Sequence, residues 1–347
     1  MATITLTPPT HAPTPYPILI GKGVLTSLPD ILSTLGSVDH IVILCDRRVE
    51  SIAERVGTIV GSQHILPVES GEQSKSLQEL ERLAGELLRI GATKSSLLIA
   101  VGGGMVTDLG GFLASIYMRG IRVVHVPTSM LGMVDASVGG KTGVELGLVK
   151  NVLGSIHHPS AIVSDTDVLA GLPDPQLREG IVEVIKEAAM LDADVFAWFE
   201  KSLTKILKRD GAALERCIVE GVRMKSVVVQ ADDRDASHRH FLNFGHTIGH
   251  AVEAHSQFSI SHGRAVSIGM VAEMSIAKVP GADRVTKLLQ AMEMPLEIPS
   301  KFSLDDLWTV IQSDKKKKAG VVRMFVPEEI GKGHMIPLSR EQFLRLR

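Results

Sequence analysis

Five short apolar runs, each delivered into a polar or glycine-bearing turn, constrain this chain more than any other feature. They are His40–Asp46, His64–Glu69, Ser96–Gly102, Arg122–Pro127 and Ala161–Asp165. Near-continuous Val, Ile and Leu with no polar alternate face need apolar cover on both sides. That is the environment of a parallel strand inside an α/β sheet. Between the second and third runs, Ser76–Ile90 carries Leu77, Leu80, Leu83, Leu87 and Leu88 at helical spacing, and Gly91 follows as a C-cap. The alternation predicts an α/β doubly wound, mostly parallel sheet.

After about residue 172 the texture changes. The stretches 174–190, 192–207, 212–230, 242–254 and 264–277 read as helices, and the next strand signal is Val321–Val326. The expected organisation is an α/β domain over residues 1–170 and a mainly helical domain over 171–347, with a site in the cleft between them. A chain of 347 residues suits two such units.

A net charge of −2 gives no footprint for nucleic acid. Cys45 and Cys217 sit in apolar patterns and read as buried free thiols of a reducing compartment. No run reaches the roughly 18 apolar residues of a membrane span. Residues 1–17 hold no Lys or Arg, unlike a secretory or transit leader, and read as an extended lead-in. The expectation is a cytoplasmic protein with no membrane or nucleic-acid partner.

Polar groups gather at the ends of the apolar runs. Val101–Asp108 pairs three glycines with the start of a helix, which lets backbone approach a pyrophosphate, although the spacing is not the usual G-x-G-x-x-G. Asp46 could accept from a ribose hydroxyl pair. Ser70–Lys75 and Pro127–Ser129 add hydroxyls, a carboxylate and a cation at what would be the same sheet edge. Singly, each reads as an ordinary turn; together they favour a nucleotide.

The segment Val134–Thr142, with Val149–Asn151 after it, is more unusual. Lys141 stands between two glycines and a threonine, like a phosphate loop without the upstream Walker spacing, and Asp135 could hold it in place. Lys150 and Asn151 add a cation and an amide.

In the helical half, Glu183 and Lys186 are i,i+3, which by default is a surface ion pair, but Val182, Val184 and Ile185 make their setting apolar. His246 and His250 are i,i+4 on one helix face, with Glu253 one turn on and His262 beyond. Spacing alone makes His246 and His250 the ligand pair. One glutamate and two histidines with an open position is the pattern of a catalytic zinc.

These motifs, taken in order from about Gly21 to Gly333, resemble 3-dehydroquinate synthases. The resemblance implies an NAD- and zinc-dependent (or cobalt-dependent) homodimeric enzyme of aromatic biosynthesis, converting 3-deoxy-D-arabino-heptulosonate 7-phosphate to 3-dehydroquinate and phosphate. It implies metal ligands at Glu183, His246 and His262, which moves His250 to the substrate phosphate. NAD contacts are implied at Asp46, at Ser70, Gly71, Glu72, Gln73, Ser74 and Lys75, and at Gly104, Met105, Val106, Thr107 and Asp108. Thr128, Ser129, Lys141, Lys150 and the stretch Val168, Leu169, Ala170 and Gly171 complete that set. Substrate contacts are implied at Asp135, Lys141, Lys150, Asn151, Lys186, Lys225, Arg239, Asn243 and Lys316. Arg119 resembles the arginine that the family contributes across a homodimer interface. Two positions depart from the family pattern: Asp235 stands where Glu is usual, and Arg264 stands where Glu usually follows His-Gly. Other sugar-phosphate cyclases, a metal-dependent alcohol dehydrogenase, and a non-catalytic NAD-binding protein are the competing readings.

Overall fold

The structure, a computed structural model, describes residues 14–146, 149–232, 238–315 and 321–346. Strands β1 (Ile18–Gly21), β2 (Ile41–Asp46), β3 (His64–Val68), β4 (Leu97–Gly102) and β5 (Arg122–Pro127) come first. A hairpin of β6 (Lys141–Leu146) and β7 (Val149–Ile156) precedes β8 (Ala161–Asp165). The six strands other than the hairpin form one sheet in the order β1-β8-β5-β4-β2-β3, and every pairing in it is parallel.

The apolar runs have no polar face because both faces are covered. Helices α1 (Leu28–Thr34) and α2 (Glu50–Val60) pack with Ile43, Cys45, Ile99 and Val101 on one side. Helices α3 (Leu77–Ile90) and α4 (Gly104–Ile116) pack with Val42, Leu44, Leu98 and Ala100 on the other. All six residues of β4, the strand between β5 and β2, are buried. Helix α3 starts where its sequence says it should: the Ser76 side chain accepts the Glu79 N–H, a cap worth about 1 kcal/mol.

The structure adds two features that the sequence pattern does not show and corrects one expectation. An edge strand follows the lead-in: β1 adds to β8, and four residues are too few to show a pattern. Residues 1–13 lie outside the described residues. The segment expected to be a phosphate loop opens the β6–β7 hairpin, in which Gly143 faces Gly154, so side-chain alternation was too sparse to read. The helix expected over 242–254 begins only at His246. Leu242 and Asn243 close a 3-10 turn, His238–Asn243, and Gly245 follows at φ 76°, a left-handed conformation that stops a helix from running through.

Beyond β8 a 3-10 segment, Thr166–Gly171, leads into α5 (Asp174–Leu191), α6 (Ala193–Leu207), α7 (Gly211–Ala231), α8 (His246–His255) and α9 (His262–Ala277). Then come α10 (Ala282–Ala291), α11 (Leu304–Lys315), an antiparallel ribbon of β9 (Val322–Glu329) and β10 (Lys332–Leu338), and α12 (Arg340–Leu344). Helix α5 is the centre of this second core, with every residue from Gly180 to Met190 buried. Met130, Met133, Val134 and Val138, from the turn after β5, also belong to it. The two halves are therefore joined by packing as well as by chain. Cys45 and Cys217 are both buried and unpaired, and burial pushes the Cys45 thiol up to about 12. No helix among the described residues is long and apolar enough to cross a membrane.

His125, inside β5, is buried and its Nδ1 has no hydrogen-bond partner. Burial, with a smaller contribution from His157, pushes its imidazole down from 6.5 to about 3. Between those values the unfolded chain holds a proton that the folded chain refuses. Stability from this residue is therefore full above about pH 6.5 and lost as pH falls toward 3. Urea midpoints measured from pH 7 to 4 should fall less steeply in His125→Leu than in the parent; equal slopes would show that another group governs acid sensitivity.

Candidate active site between the sheet and the helices

The order of the sheet places a crevice. The β2-to-β3 connection moves one way along the sheet, and β4-to-β5-to-β8 moves the other. Ligands of open α/β sheets bind where such connections part, at the carboxyl ends of the strands. Most of the sequence-predicted cofactor residues follow strand ends at that edge, while Lys141 and Lys150 lie in the β6–β7 hairpin. Asp46 leaves β2 with its Oδ1 accepting the Arg48 N–H at 2.8 Å and the Ser70 hydroxyl. Gly71 to Ser74 make a tight turn after β3, pinned by Ser74 Oγ donating to the Glu69 carbonyl at 2.7 Å. Lys75 is buried and donates to Asp108 Oδ2 at 2.7 Å, with Glu72 3.7 Å away. Burial would draw that ammonium down, but Asp108 and Glu72 hold it up.

Helix α4 opens directly after β4. The side chains of Met105, Val106 and Thr107 are buried, so this stretch presents backbone; the Val106 and Thr107 N–H groups donate to the Gly103 carbonyl at 3.0 and 3.2 Å, and the N–H groups ahead of them at a helix start favour an anion. Thr128 is buried after β5, and Ser129 Oγ accepts the Gly132 N–H at 3.1 Å. Val168 to Gly171 form the 3-10 segment after β8, with the Leu169 side chain in the core and its carbonyl accepting from Arg209 Nε at 3.3 Å.

The opposite wall is built on α5. Glu183 is 1% exposed and Lys186 2%, so their pair is buried, where the default reading of the spacing had placed it on the surface. Lys186 Nζ donates to Glu183 Oε2 at 2.5 Å. Burial would push the ammonium down; Glu183, Glu187 and Asp135 around it hold it up. Glu183 Oε1 has no hydrogen-bond partner although it is buried. It lies 3.6 Å from His262 Nε2 and 4.0 Å from His246 Nε2.

Both histidines are held from behind. His246 Nδ1 is 3.0 Å from the Phe244 carbonyl and His262 Nδ1 is 3.3 Å from Glu253 Oε2. With Nδ1–H donated, each ring turns its Nε2 lone pair toward Glu183. Burial, aided by Lys186 and the neighbouring rings, takes His246 well below the usual imidazole range, which keeps it neutral as a metal ligand must be. The donor separations are about 0.3–0.7 Å longer than the roughly 3.3 Å expected between ligands of a tetrahedral ion with bonds of about 2.0 Å. An orphaned buried carboxylate oxygen facing two imidazole lone pairs fits a divalent cation. His250 is exposed, and its donor atom lies within 4.8 Å of those of His246 and His262.

Local packing explains why these side chains meet. The N–H groups of Gly245 and Ile248, at the start of α8, are accepted by the fully buried Glu273 of α9 at 2.8 and 3.0 Å. Helices α8 and α9 cross with almost no space between them. A Cβ on Gly249 would lie 2.8 Å from the Ala265 carbonyl, and one on Gly269 would overlap the Gly245 carbonyl. The start of α9 docks on α5 through Ser261 Oγ, which donates to Glu179 Oε1 at 2.5 Å.

Lys225, on α7, donates at 2.5 Å to both the carbonyl and the Oδ1 of Asp135. Burial would raise the Asp135 carboxyl, but Lys225 and Lys186 bring it down to about 2. This corrects the expectation that Asp135 holds Lys141: its lysine comes from α7. Lys141 is the exposed first residue of β6, presented by Gly139 and Gly140, whose N–H and carbonyl bond Tyr16 Oη at 3.3 Å and the His157 N–H at 2.8 Å. Asn243 ends the 3-10 turn just before α8, half-buried. The side chains of Lys150, Asn151 and Arg239, and all of Asp235 and Lys316, lie outside the described residues. Arg264 is exposed on α9, so its departure from the family pattern falls on the solvent side. Reading the sequence missed Glu187, buried one turn after Glu183 with neither oxygen partnered, and Glu273. Only the apolar company of each signalled burial.

Arg119 stands apart. Helix α4 carries the chain about 20 Å away from the cofactor edge before it. Met118 and Arg119 adopt φ of 49° and 60°, unusual for side chains with a Cβ, and Lys94 Nζ braces the turn at the carbonyls of Met118 (3.2 Å) and Gly120 (3.0 Å).

Profiles described as 3-dehydroquinate synthase N-terminal and C-terminal match residues 65–179 and 180–317. A 3-dehydroquinate synthase of Sulfurisphaera tokodaii is 39% identical over 324 residues, covering 90% of each chain. One from Dictyoglomus thermophilum is 40% identical over 335 residues, covering 94% of this chain and 93% of that one. Among solved structures, a 2-deoxy-scyllo-inosose synthase complexed with carbaglucose-6-phosphate, NAD+ and Co2+ superposes with a TM-score of 0.87 at 26% identity, covering 95% and 96% of the two chains. A 2-epi-5-epi-valiolone synthase from Streptomyces hygroscopicus, with NAD+ and Zn2+ bound, shares the fold with a TM-score of 0.89 at 24% identity over 98% of each.

The α8–α9 crossing gives a direct test. Gly269→Ala should destabilise the fold by about 1–3 kcal/mol through overpacking and lower zinc retention with it. A variant with unchanged melting and unchanged zinc content would show that the close approach is not needed.

Proposed function

This chain belongs to the 3-dehydroquinate synthase family, and on that premise we propose that it converts 3-deoxy-D-arabino-heptulosonate 7-phosphate to 3-dehydroquinate and phosphate, using NAD and a divalent metal, zinc or cobalt. The observation that carries the reading is Glu183: a buried carboxylate with one oxygen held by Lys186 and the other unpartnered between His246 and His262. The relatives at 36–40% identity support the heptulosonate substrate over those of the more distant cyclases.

Bound NAD supplies a reversible hydride acceptor at the substrate C5, and the metal supplies Lewis acidity toward its hydroxyl. Glu183, His246 and His262 hold the metal. The strand-end segments at Asp46, Ser70–Lys75, Gly104–Asp108, Thr128, Ser129 and Val168–Gly171 hold the dinucleotide. Lys141, Lys150, Asn151 and His250 receive the phosphate, and Lys225 with Arg239 receives the carboxylate. Lys225 is engaged by Asp135 before substrate arrives, so Asp135 keeps that ammonium desolvated and oriented until a second carboxylate shares it. Lys186 holds Oε2 of Glu183 and so aims its other oxygen. The proton lost beside the new ketone goes to an oxygen of the departing phosphate. Gathering cations in one cleft of a chain with net charge −2 focuses a positive field on a polyanionic substrate, and much of the rate comes from positioning.

We also read the protein as a homodimer in which Arg119 serves the site of a second copy. Its distance from its own cofactor edge supports this. So do the exposed apolar side chains Ile116 and Met118 beside it, and Val152 and Ile156 on β7, the strand tied to α4 by Ser155 and Ser115 at 2.7 Å.

Phosphate should be released from the heptulosonate phosphate, should stop on chelation and return with zinc or cobalt, and no net NADH should accumulate. Faster release from glucose 6-phosphate or sedoheptulose 7-phosphate would replace the substrate, and net NADH would replace the reaction class. Arg119→Ala and Glu183→Gln should each be inactive alone and regain partial activity when co-refolded. No recovery in proven heterodimers would remove Arg119 from the shared site.

A further inference from the structure

We propose that Glu253 is the positioning residue of the metal ligand His262, taking its Nδ1–H so that the Nε2 lone pair is fixed on the side of Glu183. This rests on the metal reading above and adds a residue to it.

The two histidines are braced differently. His246 leans on a backbone carbonyl, that of Phe244, which no substitution of a side chain removes. His262 leans on a side chain: Glu253 Oε2 lies 3.3 Å from its Nδ1. Glu253 is 4% exposed, so its carboxylate has left water and needs partners that return the cost. It sits two turns after His246 on α8, on the same face, and points to the first residue of α9.

The connection between the helices is shaped to bring them together. Gln257 and Phe258 both take positive φ, 52° and 62°, and the Phe258 N–H returns to the Glu253 carbonyl at 3.0 Å. Two residues with a Cβ in that region persist only where the surroundings over-determine them. The loop folds back onto Glu253 and lays His262 over its carboxylate. Glu273 does the converse, reaching from α9 to the N–H groups that open α8 beside His246. Each helix thus supplies a buried glutamate that holds the ligand-bearing end of the other. An anionic acceptor behind an imidazole fixes its tautomer and raises its basicity toward a metal.

The test is cobalt titration of the metal-free protein, followed by visible absorption of bound Co2+ and by equilibrium affinity, with folding checked by circular dichroism. Glu253→Ala should bind Co2+ about 10–100-fold more weakly than the parent and alter the absorption envelope. Glu253→Gln, which keeps an acceptor but not the charge, should fall between them. A folded Glu253→Ala with parental affinity and spectrum, alongside a His262→Ala that has lost the metal, would overturn the role of Glu253 and leave the ligand set standing. Parental affinity in His262→Ala would overturn the ligand set itself, and this inference with it. If Glu253→Ala does not fold, Glu253→Gln decides: parental affinity and spectrum overturn the proposal.

Discussion

The rest of the site depends on one electrostatic arrangement: the ion pair of Glu183 and Lys186 inside the buried stretch Gly180–Met190 of α5. Two charges taken out of water on α5 cost several kcal/mol each unless they find each other and further partners. Lys186 has that company, with Glu183 at 2.5 Å and Glu187 and Asp135 around it. Glu183 is only half provided for. Its Oε2 is paired, while Oε1 lies 3.6 and 4.0 Å from the Nε2 atoms of His262 and His246 and accepts no hydrogen bond. A protein keeps such an oxygen when something positive belongs beside it.

The neighbouring elements extend that logic outward. Lys225 and Asp135 form a second pair next to the first, bridging α7 and the turn after β5, so one network of charge reaches from the helical core to the sheet. The helices α8 and α9 bring His246 and His262 to Glu183 by crossing where glycines leave no side chain between them. On the facing wall the sheet contributes chain ends: the Asp46 carboxylate at β2, a tight turn at β3 and a helix start at β4. Neither wall holds the whole constellation, and the shared core through Met130, Met133 and Val134 keeps them in register.

Much of the fold was legible because burial leaves a mark on composition. The five apolar runs became five strands of the sheet, and the helices around α5 and α7 began and ended close to their patterns. What escaped was local. The edge strand β1 is too short to show periodicity. The β6–β7 hairpin is diluted by glycines and polar residues. The start of α8 is shifted by the left-handed Gly245. In the site, Glu183, His246 and His262 were named through family resemblance, while helical spacing pointed to His250. The i,i+4 rule puts His246 and His250 on one face, and their rings do lie close. It is silent about a third residue arriving from another helix.

The sequence by itself determined which residues had to be buried, and therefore a parallel sheet followed by a helical half, together with a list of charged and imidazole groups too costly to leave unexplained. Periodicity within a segment carries that information because neighbours along the chain share a face. Only the tertiary structure decided the partnerships: Lys186 with Glu183 out of solvent, Lys225 rather than Lys141 with Asp135, Glu253 behind His262, and Arg119 remote from its own cofactor edge. Each of the inter-element pairings joins residues from different elements, and an angle or distance between elements is set by packing, here by the glycine crossing of α8 and α9, which no single segment encodes.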